Sequence, residues 1–217
     1  HGRGSSDVSL EPAFDLRLTT HSADITFQHD PVDKIFGKVG ISGMRQGNVR
    51  GSTGFLIPNF RAYTGGAFVL ENWVDGPWTA NIGLRYDYRW LKVFAVEREN
   101  IPQSTFTYSN LTGVVGLLYR VGERWSIATN IGSAWRAPSV NELFSNGVHH
   151  GTAQFETGDP TLEQERSLNL DLTIRHISNL AQAELSLFSN HFSNYISLFP
   201  DQEYVLTIRG AFPAFSH

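Results

Sequence analysis

Two adjacent histidines, His149 and His150, are the residues of this sequence best suited to bind a metal ion. Imidazoles coordinate zinc and haem iron, and the flanking Asn146, Gly147 and Gly151 favour an irregular loop. In an extended strand adjacent side chains point in opposite directions, so the pair can reach one metal only from such a loop. The alternative interpretation is a pair of solvated loop histidines.

Charged residues near this pair extend the hypothesis. Glu142 and Glu156 could complete a zinc site with oxygen and nitrogen ligands, or they are ordinary loop carboxylates. Arg136 precedes Pro138, which cannot donate to a β-ladder, so this segment most simply ends a strand, with Arg136 paired to a carboxylate. Arg136 could also recognise an anionic metal chelate. The candidate substrate-binding residues are therefore His149, His150, Glu142, Glu156 and Arg136, and the two histidines are the candidate metal ligands.

Catalytic patterns are scarce. The sequence has no Cys, no Gly-x-Ser-x-Gly and no glycine-rich phosphate loop ahead of a helix. A serine of the same segment, Ser139 or Ser145, could be paired with His149 as in a hydrolase, but no third partner is evident. We therefore predict no catalytic residues, no enzyme activity and no resident cofactor. The residues interpreted as structural or solvated are His21, His29, His176, His191, Glu163, Glu165 and Arg166.

Composition excludes several classes of protein. A chain of 217 residues with 41% hydrophobic and 18% charged residues is expected to fold. Its net charge of -4 and the absence of a Lys/Arg run argue against a nucleic-acid partner. No stretch approaches the roughly 18 apolar residues of a membrane-spanning helix. Aromatic residues are frequent, with 5 Trp, 7 Tyr and 15 Phe.

The secondary structure that must position these residues is predicted from an alternation of apolar and polar residues with a period of two. Between 78 and 90, apolar and polar residues alternate, as they do in 124–135 and 168–175. Successive side chains of a strand take opposite faces, so each run is a strand with one apolar side. Trp78 and Trp90 share such a side, as do Trp125 and Trp135. Ten positions of a tilted strand rise about 25 Å, the height of the apolar band between the aromatic girdles of a membrane β-barrel.

The connections follow the same rhythm. Tight turns at 30–33, 75–77, 122–123 and 178–179 alternate with longer links at 48–58, 97–104, 136–161 and 199–203. This alternation is typical of periplasmic turns and extracellular loops in outer-membrane barrels. The predicted strands are about 13–28, 34–47, 59–74, 78–96, 105–121, 124–135, 162–177, 181–198 and 204–209.

One loop carries a family resemblance. It reads Trp-Arg-Ala-Pro at 135–138, Glu-Leu-Phe at 142–144 and Gly-Asp-Pro-Thr-Leu-Glu-Gln-Glu at 158–165. These motifs resemble the barrel of TonB-dependent outer-membrane receptors, where Phe-Arg-Ala-Pro leads into Glu-Leu-Phe and a later Gly/Asn-Pro-x-Leu-x-x-Glu. The likeness continues through 187–196 to 210–213. Histidines between the two motifs are most like zinc and haem receptors, whereas the segment 158–162 departs from the Asn-Pro-Asn-Leu of haem receptors.

This resemblance implies an all-β fold, an antiparallel up-and-down transmembrane β-barrel, of which about nine strands are present. Residues 1–217 are then part of the barrel, and the plug domain and the C-terminal barrel strands are expected to lie outside this chain. The implied function is active import across the outer membrane of a Gram-negative bacterium. The expected partners are TonB with its inner-membrane energy-coupling complex, membrane lipid, and a metal or metal-chelate ligand such as zinc, haem or a ferric siderophore.

Two other readings remain open from the sequence. A soluble β-sandwich binding module would also have strands with one apolar side. An outer-membrane porin or enzyme would share the barrel, but a porin needs neither a plug nor capture histidines.

Overall fold

A computed structural model of the chain describes residues 15–51, 55–149, 151–207 and 210–217. Its elements are β1 (Leu16–Val32), β2 (Ile35–Arg50), β3 (Phe60–Asp75), β4 (Trp78–Val93), β5 (Ser104–Val121), β6 (Trp125–Arg136), α1 (Val140–Phe144), β7 (Asn146–His149), β8 (Gln154–Thr157), β9 (Glu165–Ile177), β10 (Gln182–Ser193), β11 (Phe199–Thr207) and β12 (Gly210–Ser216). In this part of the chain, no helix combines the length and the apolar character needed to cross a membrane.

The main sheet has eight antiparallel strands in the order β1-β2-β3-β4-β5-β6-β9-β10. Each strand pairs with the next along the chain, except that the small hairpin β7–β8 is left out between β6 and β9. The connections β1–β2, β3–β4, β5–β6 and β9–β10 are tight, and two of them place Gly76 and Gly122 at φ of +54° and +64°. The predicted alternation of short turns and longer links is confirmed for these eight strands, which define a turn end and a loop end of the sheet.

The two faces of the sheet differ as the period of two predicts. On β4, the side chains of Ile82, Leu84 and Tyr86 are about half exposed, whereas Asp87 on the opposite side is 7% exposed. We call the first side the outer face and the second the inner face, and the strand registers extend both faces to the neighbouring strands. A soluble protein would cover such an apolar face, because contiguous apolar surface of this size is rarely left in water. An outer face that stays exposed is typical of a sheet in contact with lipid, and it argues against the β-sandwich.

Aromatic side chains mark both ends of the outer face. At the turn end Trp78 contacts Tyr119, with ring centroids 4.2 Å apart, and Trp125 packs on His176 at 4.4 Å. At the loop end the pair is formed by Tyr63 and Trp90, 5.8 Å apart. These pairs occupy the positions of the two aromatic girdles that the sequence predicts.

The predicted place of Trp135 in the loop-end girdle is wrong. The β5–β6 ladder stops at Val114 and Gly132, and the Ser133 hydroxyl then accepts the backbone N–H of Gly113 at 3.0 Å. Beyond this point β6 stays paired with β9 but is no longer paired with β5. The indole N–H of Trp135 lies 3.4 Å from Asp87 Oδ2 on the inner face, so this ring belongs to the interior of the sheet rather than to its outer surface.

The end of the chain also departs from prediction. The segment 199–203, which was expected to be a link, is the first part of β11. The expected ninth barrel strand, 204–209, forms the rest of β11 as far as Thr207, and residues 208–209 lie outside the described residues. Together β11 and β12 form a four-stranded sheet with the loop hairpin, in the order β11-β12-β8-β7. After β10, Asn194 has a φ of 55° and Ile196 donates its N–H to the Glu165 carboxylate, so the chain is directed to the loop and not along the edge of β10.

The buried apolar core lies at the loop end. It joins the ends of β3 and β4 to α1 and the links between the strands, and it includes Leu56, Ile57, Phe60, Leu91, Val93, Ile101, Val140, Leu143 and Phe144. Leu91, Val93 and Leu143 have no measurable exposure. This core therefore fixes the loop 137–164, which carries the candidate site, to the strands.

Candidate functional site

The helix α1 begins where β6 cannot continue. Pro138 is fully buried and ends the ladder, and Ser139 caps the helix. The Ser139 hydroxyl accepts the backbone N–H of Glu142 at 3.3 Å, while the Glu142 carboxylate accepts the N–H of Ser139 at 2.7 Å. This reciprocal capping box satisfies two donors that the helix itself leaves unpaired. The apolar side of α1 then enters the core.

Arg136 holds four parts of the chain together. Its Nη1 donates to Glu142 Oε1 at 2.8 Å and Oε2 at 2.9 Å, and its Nη2 donates to Glu165 Oε2 at 3.2 Å and to the carbonyl of Ile196 at 3.3 Å. The same Glu165 oxygen accepts the N–H of Ile196 at 3.0 Å. Arg136 therefore joins β6, α1, β9 and the segment after β10, as the structural interpretation of this residue predicts. Glu165, which the sequence analysis interprets as structural or solvated, is 13% exposed and pairs with Arg136.

The second motif packs directly on the first. Gly158 lies so close to the end of α1 that a Cβ atom would come within 2.5 Å of the Phe144 nitrogen and 2.6 Å of the Leu143 carbonyl carbon. Gly158 also donates to the Ser145 carbonyl and Asp159 to the Glu142 carbonyl, each at 2.8 Å. Only glycine fits this approach without a shift of the backbone. The two motifs that carry the family resemblance are thus the two halves of one loop anchor.

Asp159 shapes the turn into β9. Its Oδ1 accepts the Thr161 hydroxyl at 2.7 Å and the Thr161 backbone N–H at 2.8 Å. The hydrogen bond from the Thr161 hydroxyl has the larger effect and the one from its backbone N–H the smaller, and together they hold the pKa of the Asp159 carboxyl below its usual value of 3.8. Hydrogen bonds to the ionised form stabilise it, so Asp159 is a carboxylate at neutral pH.

His149 ends β7 at the tip of the loop hairpin. Its Nδ1 lies 3.1 Å from the Thr152 hydroxyl, and its carbonyl accepts the backbone N–H of Thr152 at 3.2 Å and of Ala153 at 2.9 Å. The hydrogen bond to one ring nitrogen fixes the ring orientation and leaves Nε2 as the nitrogen that can bind a metal. His150, the other half of the candidate pair, lies outside the described residues.

The two candidate carboxylates occupy different surroundings. Glu156 is 8% exposed and pairs in register with Gly147, on the same face of the hairpin as His149 and Gln154. Glu142, in contrast, has both carboxylate oxygens hydrogen-bonded to Arg136 and Ser139 within the loop anchor. Within the described ranges, no group of three or more His, Asp or Glu side chains is arranged to hold a metal ion. Any complete metal site at this hairpin needs a further ligand from beyond these residues, such as His150.

The inner face carries a polar network that sequence reasoning did not single out. Arg85 donates from Nε to Asp87 Oδ1 at 2.9 Å and Oδ2 at 2.8 Å, and from Nη2 to the Ser42 hydroxyl at 2.7 Å. Trp135 adds its indole N–H to the same carboxylate. The alternation on β4 places Arg85 and Asp87 on one side, but only the register of β2 against β3 and the inward course of β6 bring Ser42 and Trp135 to them.

Residues 4–211 match the family model described as "TonB dependent receptor-like, beta-barrel". The copper transporter OprC is 17% identical, with a TM-score of 0.73, over 93% of this chain and 33% of that chain. The FrpB iron transporter from Neisseria meningitidis (F3-3 variant) is 19% identical, with a TM-score of 0.63, over 93% of this chain and 31% of that one.

A third match is a double mutant of the Serratia marcescens haemophore receptor HasR in complex with HasA and haem. It is 18% identical, with a TM-score of 0.65, over 93% of this chain and 37% of that chain. At these identities the likeness is one of fold. The chain spans about a third of the length of these proteins.

Proposed function

Since the chain belongs to the TonB-dependent receptor β-barrel family, we propose that it is part of an outer-membrane receptor that imports a metal or metal complex with energy supplied through TonB. The observation that carries this proposal is the two-sided sheet of β1 to β6, β9 and β10, which lies within the family match over residues 4–211. Its outer face is apolar, exposed and bounded by aromatic pairs, and its inner face carries the Arg85–Asp87 network. Such a sheet separates lipid from a polar lumen.

In this proposal the eight strands form part of the wall of a larger barrel. The edges β1 and β10 then pair with further strands of the intact receptor, because an open sheet edge is not tolerated in lipid. A plug domain elsewhere in the receptor closes the lumen. Binding of cargo at the loop end changes the contacts between plug and barrel, and TonB with its inner-membrane complex moves the plug.

The proposed cargo is zinc, haem, a ferric siderophore or copper. The names of the solved neighbours support a metal, because OprC is a copper transporter, FrpB an iron transporter and the HasR complex contains haem. We assign capture to His149, which ends β7, and to His150, the next residue in the sequence, with Glu156 on the same face of the hairpin as His149. Arg136 and Glu142 already satisfy each other, so we assign them to holding the loop in place.

The proposal is tested in cells that lack the receptor and are starved in turn of zinc, copper and iron. The full-length receptor is restored, with and without TonB, and cell metal is measured after supplying free zinc, free copper, haem or a ferric siderophore. We expect one of them to accumulate only when both the receptor and TonB are present. Accumulation that does not require TonB would identify a passive porin. If none of the four supplied substrates accumulates, the proposal of a metal receptor is excluded.

A further inference from the structure

Positively charged side chains collect at the loop end of the outer face. The register of β1 to β4 sets two cross-strand rows there: His21, Arg45, Tyr63 and Trp90 in one, and Thr19, Gly47, Arg61 and Lys92 in the next. All eight positions fall on the outer face because opposite residues of paired strands share a face. Arg17 lies two residues beyond Thr19 on the same face. We call Arg17, Arg45, Arg61 and Lys92 the outer cationic cluster.

A cavity of about 450 Å³ lies at these rows. Its lining includes Thr19, His21, Arg45 and Arg61 of the outer face, together with Gln46, Asn48 and Phe60 at inner-face positions. Gly47 stands between Thr19 and Arg61 in the second row, and a Cβ atom there would come 3.1 Å from the Phe60 carbonyl oxygen. Gly47 therefore lines the cavity without adding a side chain between Thr19 and Arg61.

The cluster has no negative partner within the described residues. None of Arg17, Arg45 and Arg61 forms an ion pair with a described carboxylate, and the Lys92 ammonium instead lies 5.5 Å from the centre of the Phe94 ring. The turn end of the same strands differs. There His29 lies 3.1 Å from Glu71, and Lys34 lies 2.8 Å from Asp75. His29 and Lys34 therefore have acidic partners within the chain, whereas the outer cationic cluster has none among the described residues and is available to an external anion.

The cluster lies at a defined depth of the sheet. The row His21–Arg45 continues into Tyr63 and Trp90, whose rings form the loop-end aromatic pair. Four residues nearer the turn end, Ile25 and Ile41 face each other in the apolar band. Aromatic pairs of this kind lie at the level of lipid headgroups, so the guanidinium groups of Arg45 and Arg61 stand at that level or just outside it.

We propose that the outer cationic cluster binds the phosphate groups of a lipid in the outer leaflet of the membrane. Guanidinium forks match phosphate oxygens in two-point geometry, and each is always charged. The adjoining apolar band would hold the acyl chains of the same lipid, so one molecule satisfies both parts of the surface. This inference rests on the proposed function for one point, that the loop end faces outward and hence meets the outer leaflet.

The test uses the full-length receptor, purified in a non-ionic detergent. Binding is measured by native mass spectrometry with bisphosphorylated lipid A, with the same lipid after enzymatic removal of its phosphates, and with inorganic phosphate as competitor. The variant is Arg45→Gln/Arg61→Gln, which keeps most of each side chain and removes both charges. Its matched control is Lys34→Gln/Lys38→Gln, which removes two charges outside the cluster. Resistance of each protein to unfolding by SDS at room temperature verifies that the barrel is intact.

We expect the wild type to prefer the phosphorylated lipid and the Arg variant to bind it roughly 25-fold more weakly, about fivefold for each charge near an anionic headgroup. The Lys control should stay within about twofold of the wild type. Equal affinity for the two forms of the lipid, or an Arg variant equal to the wild type, would overturn the proposal. Competition by inorganic phosphate at the same concentration as lipid would also overturn it, because it would indicate a small-anion site. This assay measures lipid binding and not metal uptake, so the lipid proposal can fail or hold independently of the proposal about the cargo.

Discussion

Arg136 and Glu142 are joined by hydrogen bonds of 2.8 and 2.9 Å across the corner where β6 becomes α1. The same carboxylate caps the helix through Ser139, so one side chain both starts α1 and ties it to the barrel strand. The side chain of Glu142 is 16% exposed and that of Arg136 is 41% exposed, which places the pair at the boundary between core and solvent. The two residues therefore form a clamp that holds α1, and with it the loop 137–164, against the end of β6.

The first prediction concerns this clamp. Arg136→Gln removes the charge shared by Glu142 and Glu165, and we expect the loop to open more easily by about 1–2 kcal/mol, since bonds to charged groups are worth more than neutral ones and partial exposure weakens them. Hydrogen–deuterium exchange of residues 140–149 in the detergent-solubilised receptor measures the change. Arg175→Gln, which breaks the exposed pair with Glu184, is the control and should leave this segment protected as before. Unchanged exchange in Arg136→Gln would show that α1 is held by its apolar side alone.

The second prediction concerns the contact between the two motifs. Gly158→Ala places a Cβ within 2.5 Å of the Phe144 nitrogen, so the turn must move away from α1. We expect a loss of about 1–3 kcal/mol, the usual range for overpacking, seen as faster cleavage of the loop by proteinase K in folded receptor. Gly43→Ala is matched to it, because a Cβ at Gly43 meets nothing within 4 Å. If the two variants are cleaved at the same rate, the close approach at Gly158 has no energetic role.

The third prediction distinguishes the two faces of the sheet. Leu84, about half exposed near the middle of β4, should face hydrocarbon, so Leu84→Arg is expected to cost about 2–4 kcal/mol of folding free energy in lipid. Asn130→Arg on the inner face should cost far less, since that side chain can remain in a polar environment. The fraction of receptor folded in vesicles at a series of urea concentrations measures both. Similar losses at the two sites would contradict the assignment of outer and inner faces.

The fourth prediction concerns cargo capture. If His149 and His150 are ligands, His149→Ala/His150→Ala should weaken TonB-dependent uptake at limiting concentration of cargo by roughly 10- to 100-fold, a loss typical of damaged metal sites. Receptor abundance in the outer membrane should not change, because His149 lies at a hairpin tip outside the core. His29→Ala/His191→Ala, with both changes on barrel strands, is the matched control. Wild-type uptake by the His149/His150 variant would reduce the pair to solvated loop residues.

The predictions that succeeded from sequence rest on local rules. Alternation with a period of two assigned Leu84 and Asp87 to opposite faces, and Gly76 and Gly122 marked turns where a positive φ is needed. Pro138 ended β6 for the same kind of reason, the loss of a backbone donor. Each of these depends on a residue and its near neighbours, so each can be read without knowing which strands meet.

The remaining features depend on contacts between distant parts of the chain. Trp135 follows the alternation perfectly and still turns to Asp87, because the β5–β6 ladder ends at Gly132 and the rest of β6 follows β9. The segment after Ser193 joins the loop hairpin since Glu165 and Arg136 bind the backbone of Ile196.

The outer cationic cluster depends both on local sequence and on contacts between distant parts of the chain. Strand periodicity alone puts Arg45 and Arg61 on the outer face, yet they are 16 positions apart in sequence and form one cavity only through the pairing of β2 with β3. The sequence by itself thus determined the eight strands of the main sheet, the two faces of their central parts and the family, because these follow from short-range patterns. Tertiary structure alone decided which side chains meet, because strand register and the path of a loop are set by the free energy of the assembled sheet.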